Sequence, residues 1–294
     1  MIEVFPVRTP TLPPATHTNA YRVGSVVIDP GSPWAEEQAR LAETLRSGPA
    51  VTHIVVTHHH HDHTGGVTDL ARRTGAKVCA HEDARLSFPV DVRLRDGDLV
   101  PTGGPPLRCL HTPGHADGHL ALQVGDTGDV LVGDLLAGVG TIVLAPPEGH
   151  LRTFLRSLER LASVAKRAFP AHGPTLEDAP AAIEAVVAHR HARSQQVEAA
   201  LTAGATTPRE VAAVVYAGIA GVDMKLAAAQ ALAHLQWLAE EGRTREEAGR
   251  WRRVVAQAPD AALSHAGELL ASLLREHAPG AAPSLRVLPG GRED

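Results

Sequence analysis

Histidine and aspartate side chains crowd into residues 57–66, whose sequence is Thr-His-His-His-His-Asp-His-Thr-Gly-Gly. Neutral imidazole and carboxylate groups are the side chains that bind Zn²⁺ and similar divalent cations. His58, His60, Asp62 and His63 are too closely spaced to share one face of a helix, and this spacing favours a loop folded around metal. One ion cannot take all four donors and keep an open position, so we expect two ions with further ligands elsewhere.

Short apolar strands must position these donors. Ile54-Val55-Val56 predicts a buried strand that ends directly before the histidine segment, and Gly65-Gly66 leads into a helix predicted over residues 67–73. A purification-tag remnant or an exposed histidine tract is the alternative interpretation. Tags lie at chain termini and lack the embedded aspartate and Gly-Gly pair, so the sequence favours a metal site.

Three later donors share this setting, because each follows a predicted strand. His115 comes after the turn-forming Pro113-Gly114, Asp134 ends the apolar strand predicted at 130–132, and His172 follows Phe169-Pro170. A carboxylate at the end of an apolar strand is costly to bury without a partner. Singly, these are ordinary loop histidines or a turn-capping aspartate, but together the four clusters predict one site.

The order of these motifs resembles that of the metallo-β-lactamase superfamily: T-H-x-H-x-D-H-x-G-G, then P-G-H, then G-D, then H-G-P. The resemblance implies an αββα sandwich and a site for two metal ions. Its ligands would be His58, His60 and His115 for the first ion and Asp62, His63 and His172 for the second, with Asp134 bridging. His59 and His61 fall at variable positions of the motif and are expected not to be ligands.

The predicted elements fit an α/β fold followed by a smaller helical domain. A hairpin at 21–28, a helix at 34–46 and strands at 76–80, 90–100, 107–110, 120–124 and 130–132 place a hydrolase domain at residues 1–178. Helices predicted at 184–201 and 226–241, with a capping-box start at Thr207 and Glu210, indicate a winged-helix-like domain at 179–243. Residues 244–294 are predicted to be a helical extension, over 244–276, and a loose tail.

Residues 138–161, 189–190, 206–216 and 231–241 resemble the branch of this superfamily that includes the endoribonuclease β-lactamase-like protein 2, and the resemblance covers about residues 16–242. It implies a dinuclear-metal-dependent hydrolase that uses a metal-bound hydroxide, with zinc as the expected metal and iron or manganese as alternatives. Asp134 would bridge the ions, and Asp62 would be both a ligand and a proton acceptor. His119, four residues after His115, matches this branch and is expected to orient substrate or to support a ligand, with a structural strand-end histidine as the alternative.

The substrate is predicted to be a thioester or ester of a small acyl group, with single-stranded RNA as the alternative. Residues 181–242 hold four basic and six acidic side chains, the chain has a net charge of -5, and only 3% of its residues are aromatic. These values argue against a nucleic-acid partner, and equally against a non-catalytic DNA-binding regulator. A homodimer is also expected.

The remaining composition bears on location. No apolar run approaches the ~20 residues that span a bilayer, and residues 1–10 lack a signal-peptide pattern, so we expect a cytoplasmic protein without membrane contact. Cys79 and Cys109 lie in apolar segments and are predicted to be buried free thiols, with a single disulfide as the alternative.

Overall fold

The computed structural model describes residues 1–254, and its first sheet has six strands in sequence order. They are β1 (Ile2–Arg8), β2 (His17–Val23), β3 (Val26–Ile28), β4 (His53–Val56), β5 (Lys77–His81) and β6 (Val92–Leu94). The first three strands pair antiparallel, and β3 to β6 pair parallel. Helix α1 (Ala35–Leu45) connects β3 to β4, while the single turn α2 (His61–Thr64) and helix α3 (Val67–Thr74) connect β4 to β5.

The second sheet has five strands in the order β11-β10-β9-β8-β7. Their bounds are β7 (Leu99–Val100), β8 (Leu107–His111), β9 (Leu120–Val124), β10 (Asp129–Gly133) and β11 (Arg167–Pro170). Only β10 and β11 pair parallel, and helix α4 (Leu151–Ala162) makes the crossover between them. The strand predicted at 90–100 is divided into β6 and β7, and the chain passes from the first sheet to the second at Asp96-Gly97-Asp98 between them.

Alternating strand residues fill three apolar layers, as expected when successive side chains point to opposite faces. Val55 of β4 and Leu131 of β10 lie between the two sheets, whereas their sequence neighbours face the helices outside. Leu41 and Leu70 cover the first sheet from α1 and α3, and Phe154 covers the second from α4. This is the predicted αββα sandwich.

The two cysteines lie in the layer between the sheets. Cys79 and Cys109 are both buried and both free. Burial raises the pKa of the Cys79 thiol to about 11 and that of Cys109 to about 12. The free-thiol prediction is therefore confirmed, and both side chains act as small apolar groups.

Three helices and a hairpin form the C-terminal module. The helices are α5 (Ala179–Thr202), α6 (Pro208–Val215) and α7 (Met224–Glu240), and the hairpin consists of β12 (Thr244–Glu247) and β13 (Arg250–Arg253). Helix α6 begins with the predicted capping box, in which Thr207 and Glu210 satisfy each other's backbone N–H groups. None of the helices in residues 1–254 has the length and apolar character needed to cross a bilayer.

The hairpin, called the wing below, corrects the predicted helix at 244–276 in its first ten residues. Ala248 and Gly249 both have positive φ, 51° and 76°, which fits the two-residue turn that the twist of a hairpin favours. Trp251 is buried between exposed arginines, and its backbone N–H donates a hydrogen bond to the Thr206 carbonyl at 2.7 Å. The helix predicted there is wrong because one alternating apolar residue anchors a strand. The rest of that prediction lies outside the described residues.

Candidate metal centre

The predicted ligands meet where strands of both sheets end. His58 and His60 follow β4, Asp62 and His63 lie on the adjoining turn α2, and His115, Asp134 and His172 follow β8, β10 and β11. Potential metal-ligating atoms of these residues form two groups, His58 with His60, His115 and Asp134, and Asp62 with His63 and His172. Thus all seven predicted ligands are brought together. Gly66 permits this turn because a Cβ there would lie 2.3 Å from the Pro30 carbonyl oxygen.

The first group places three imidazole nitrogens around one point. His58 Nε2 and His115 Nε2 each lie 2.9 Å from His60 Nδ1, and Asp134 Oδ2 lies 3.4 Å from His115 Nε2. An imidazole nitrogen offers either one proton or one lone pair, so hydrogen bonds alone cannot serve both contacts of His60 Nδ1 equally well. Three lone pairs directed at one cation would satisfy all of them.

The second group uses the other oxygen of the same carboxylate. Asp134 Oδ1 lies 3.4 Å from His172 Nε2 and 3.5 Å from His63 Nε2, and Asp62 Oδ2 lies 3.4 Å from His172 Nε2. His63 Nε2 and Asp134 Oδ1 are both buried and have no hydrogen-bond partner within the described part of the chain. Such orphaned polar atoms are costly unless a cation binds them, so the residues present fit a second ion.

In three of the candidate ligand histidines, Nε2 faces the site and the other ring nitrogen, Nδ1, lies within hydrogen-bond distance of an oxygen atom. His63 Nδ1 lies 2.8 Å from Asp29 Oδ2, His115 Nδ1 lies 2.8 Å from the Val143 carbonyl, and His172 Nδ1 lies 3.0 Å from the His17 carbonyl. An oxygen acceptor at Nδ1 places the proton there and leaves Nε2 free to bind metal. This arrangement recurs at metal-ligating histidines, and three different parts of the chain supply it here.

Sequence reasoning did not identify Asp29 as part of the site. This residue is 2% exposed and accepts hydrogen bonds from Thr57 N at 2.8 Å and Thr57 Oγ1 at 2.6 Å, in addition to its contact with His63. Asp29-Pro30-Gly31 is typical of a turn, and a turn alone accounts for an aspartate at this position of the sequence. The available signal was its place directly after β3, the same setting that all the later donors share.

His119 has a supporting position and does not face the open side of the site. Its side chain is fully buried; Nδ1 lies 2.8 Å from Thr112 Oγ1, and Nε2 accepts from the backbone N–H of Asp134 at 3.0 Å. Both ring nitrogens are therefore engaged, and the catalytic role through substrate contact is not supported. The other expectation, support of a ligand, fits this geometry, because His119 holds the backbone of the central carboxylate.

Two histidines of the original run lie outside the two groups described above. His59 Nε2 contacts Glu148 Oε2 at 3.3 Å, with both side chains about a quarter exposed, and His61 is exposed. His59 lies with His60 and Glu148 in a further group of potential ligand atoms, so the expectation that His59 is not a ligand stays a prediction, as does that for the exposed His61. Glu148, on the segment between β10 and α4, contacts His59 at the surface of the site.

The histidines of the two ligand groups differ in the direction of their pKa shifts. Burial lowers the pKa of His58 and His115, and it lowers that of His60 to about 3, so these rings are neutral lone-pair donors. Burial acts in the same direction on His63, but the carboxylates of Asp134 and Asp29 reverse the effect and raise its pKa. The second group therefore demands positive charge, which a divalent cation would supply.

Gly133 allows the backbone before Asp134 to lie close against the His119 ring. Its φ is 49°, and a Cβ there would lie 2.7 Å from His119 Nε2. We expect Gly133→Ala to lower the free energy of unfolding by about 3 kcal/mol, from backbone strain and overpacking together, and to weaken metal binding. Urea denaturation and metal titration would measure both effects.

Gly128→Ala is the matched control, because Gly128 lies near the other end of β10 and also has a positive φ, 84°. The nearest atoms to a Cβ there are Cγ, Cδ and Cβ of the Lys166 side chain, at 2.7, 2.8 and 3.1 Å, far from the metal ligands. This variant should lose about 2–3 kcal/mol through backbone strain and displacement of Lys166 and keep its metal affinity. Equal metal affinity in the two variants would contradict the role assigned to Gly133.

Comparisons with known proteins agree with this architecture. Residues 13–172 match the model of the Metallo-beta-lactamase superfamily, and residues 207–251 match that of the Beta-lactamase associated winged helix domain. The second match ends within the wing. A crystal structure of the metallo-beta-lactamase family protein TTHA1429 from Thermus thermophilus has a TM-score of 0.74 at 26% identity, covering 86% of this chain and 98% of that one.

Two relatives bear on the branch and the reaction. The chain is 32% identical over 203 residues to the Beta-lactamase-like protein 2 homolog of Drosophila melanogaster, covering 61% of this chain and 66% of that protein. It is 30% identical over 193 residues to the Atrochrysone carboxyl ACP thioesterase dmxR1 of Cryptosporiopsis, covering 63% of this chain and 58% of that protein. The first relative supports the branch that the sequence motifs indicated.

Proposed function

Since the chain belongs to the metallo-beta-lactamase superfamily of hydrolases, we propose that it is a dinuclear-metal hydrolase acting on a thioester or ester of a small acyl group. The observation that carries the proposal is the placement of one carboxylate between two ligand groups. Asp134 directs Oδ2 at the first group and Oδ1 at the second. Zinc is the expected metal, and iron and manganese are the alternatives for this mixture of imidazole and carboxylate.

Divalent cations held there would supply Lewis-acid chemistry, which acidifies a water molecule and stabilises negative charge as it develops on the substrate. The protein's own residues provide the remaining functions. Burial raises the pKa of the Asp62 carboxyl, but its contact with His172 and the charge of His63 hold that pKa well below its usual range. Asp62 is therefore ionised and suited to be a ligand, and its expected role as proton acceptor stays a prediction. Asp29 and the Val143 carbonyl keep His63 and His115 in the tautomer with Nε2 free.

Two features favour an acyl substrate over RNA. The relative dmxR1 is named as an acyl-carrier-protein thioesterase, although the similarity covers only 58% of its length. All aromatic residues of the chain lie within residues 1–254, and only the Trp34 side chain is exposed there, with the Arg8 guanidinium over its ring. Single-stranded nucleic acids are bound by stacking bases on exposed aromatic rings, and within residues 1–254 Trp34 alone offers an exposed ring for this.

One observation favours RNA as the second candidate. The wing exposes Arg245, Arg250, Arg252 and Arg253 against Glu246 and Glu247. With Arg243 included, residues 181–254 carry nine basic and eight acidic side chains, whereas the helices alone are acidic. Basic side chains concentrated on a hairpin can contact phosphates without a basic domain around them, so RNA is kept in the test.

The test is a substrate panel on the metal-loaded protein. Acyl-CoA thioesters, lactoylglutathione, a β-lactam and single-stranded RNA would be compared, with thiol release, ring opening and strand cleavage as readouts. We expect metal-dependent thioester cleavage that is lost with a chelator and restored by zinc. Metal content would be measured in parallel, because a chain without metal would contradict the metal centre itself.

The wing separates the two substrates. In an R252S/R253S variant, thioester turnover should be unchanged, because neither arginine contacts the ligand groups. If RNA is the substrate, the same variant should bind RNA more weakly and with a shallower salt dependence. RNA cleavage with steep salt dependence, and no thioester turnover, would overturn the acyl proposal.

Location and assembly complete the proposal. Two buried free thiols fit a reducing compartment, and we propose the cytoplasm. A small-molecule acyl substrate is the proposed partner, with a homodimer as the proposed assembly. Gel filtration with light scattering would test the oligomeric state directly.

A further inference from the structure

Residues 142–144 form an irregular segment that contacts both the metal centre and the C-terminal module. The Val143 carbonyl accepts from His115 Nδ1 at 2.8 Å. On either side of it, the Ile142 carbonyl accepts from Arg190 Nη2 at 2.5 Å, and the Leu144 N–H donates to Gln230 Oε1 at 3.0 Å. Because the segment belongs to no strand or helix, its backbone groups depend on such side chains for partners.

The two side chains come from the long helices of the winged-helix module, Arg190 from α5 and Gln230 from α7. They are 1% and 7% exposed, and Arg190 Nη1 lies 3.4 Å from Gln230 Oε1. The Arg190 guanidinium also lies over the ring of the buried Phe154, 5.3 Å from its centre. Helices α5 and α7 thus fix one backbone segment of the catalytic domain from two sides.

Burying Arg190 in this way is costly. No carboxylate pairs with it anywhere in residues 1–254, its Nε has no hydrogen-bond partner there, and burial lowers its pKa to about 10. An apolar side chain of similar size would often fill such a place with equal or greater stability. The charge is therefore better explained by what its fixed planar donors hold, the Ile142 carbonyl, than by stability alone.

We propose that Arg190 and Gln230 form a clamp by which the winged-helix module holds residues 142–144, and so orients His115 for metal binding. The two residues are positioning residues that act through the Val143 carbonyl and touch neither metal nor substrate. This inference rests on the proposed metal centre and adds a function for the module. Its helices would be a structural part of the first metal site, whether or not the wing binds nucleic acid.

Zinc affinity of the full chain tests the clamp. Gln230→Leu keeps the volume but removes the acceptor for the Leu144 N–H, and Arg190→Lys keeps the charge but loses the planar donors. Replacing groups that orient metal ligands weakens binding about 10–100-fold, and we expect at least the lower end of that range for one of the two zinc ions. Competition with a chromophoric chelator would measure both dissociation constants.

Two further variants separate the clamp from general destabilisation. Gln230→Glu retains an acceptor for Leu144 and a partner for Arg190, so zinc affinity should be close to that of the wild type. Thr244→Val removes a different buried hydrogen bond of the same module, from Thr244 Oγ1 to the Leu235 carbonyl at 2.9 Å. It should lower the free energy of unfolding and leave both zinc affinities unchanged.

A spectroscopic readout places the effect at His115. The Nδ1–H of His115 should give a ring ¹⁵N–¹H signal protected from exchange in the zinc-loaded wild type, assigned by its loss in His115→Ala. Faster exchange of this signal in Q230L and R190K is expected. Wild-type zinc affinities and wild-type exchange in both variants would overturn the clamp, whereas a wild-type chain that binds no zinc would overturn the proposed metal centre instead.

Discussion

Replacing Asp134 by asparagine is expected to leave one metal ion per chain and to lower turnover about a thousandfold, because a catalytic ion supplies several kcal/mol and each 1.36 kcal/mol is a factor of ten. The two carboxylate oxygens face different ligand groups, Oδ2 towards His115 Nε2 and Oδ1 towards His172 Nε2. An amide N–H₂ has no lone pair for a cation. Whichever way the amide is turned, one group therefore loses a ligand.

Elemental analysis after extensive dialysis would give the metal content, and turnover would be measured on the thioester that the panel identifies. Asp129→Asn is the matched control, because Asp129 lies on the same strand but at its far end, where it pairs with the exposed Arg167. That variant should keep two ions and lose no more than about 1 kcal/mol of unfolding free energy. Two ions and wild-type turnover in D134N would contradict the dinuclear scheme.

The ligands are predictable from the sequence for a physical reason. Each is a histidine or aspartate within a few residues of a short apolar strand. When such a strand is buried within a sheet, the loop that follows it lies at the end of the strands, where polar side chains can face a site. Four ends of this kind in one α/β chain converge because the sheets bring them together. The strand ends thus predict one shared site, and the resemblance of the motif order then implied the separate roles of His58, His115 and Asp134 within it.

The supporting residues are not predictable in this way. Asp29 lies in a turn sequence that accounts for an aspartate without any role in the site, and its contact with His63 joins residues 34 positions apart in the chain. The contact of Arg190 with the Ile142 carbonyl spans 48 residues and buries a residue type that is almost always exposed. Composition and periodicity describe neighbours along an element, so they cannot reveal which backbone carbonyl a distant side chain will meet.

The sequence prediction for the wing is wrong for a different reason. Its strands are four residues long and rich in arginine and glutamate, which are better helix formers than strand formers. The buried Trp251 and the Ala248-Gly249 turn determine the hairpin. Trp251 is held by its backbone hydrogen bond to Thr206 and by packing with residues of α5 and α7, all of them distant in the sequence. The error also had a consequence for function, because it removed the exposed arginines from the charge balance of the module.

Asp29→Asn is expected to weaken binding of the second metal ion about 10–100-fold, the usual effect of altering a group that orients a metal-ligating histidine. In the wild type, Asp29 Oδ2 accepts from His63 Nδ1 and Oδ1 accepts from Thr57 N. If the amide oxygen of the asparagine keeps the Thr57 N–H, its N–H₂ group faces His63 Nδ1. The ring must then carry its proton on Nε2, where it blocks the metal.

Backbone strain cannot account for such a loss. Asp29 has a φ of 48°, a conformation that asparagine adopts at least as readily as aspartate. Thr57→Val is the complementary variant, since it removes the hydroxyl contacts of Thr57 with Asp29 and with His58 Nδ1 and leaves the contact of Asp29 with His63 in place. Zinc titration should show a larger loss of the second ion for D29N than for T57V, and D29N should bind the first ion as the wild type does. If D29N binds both ions normally, the His63 tautomer is set by something other than Asp29.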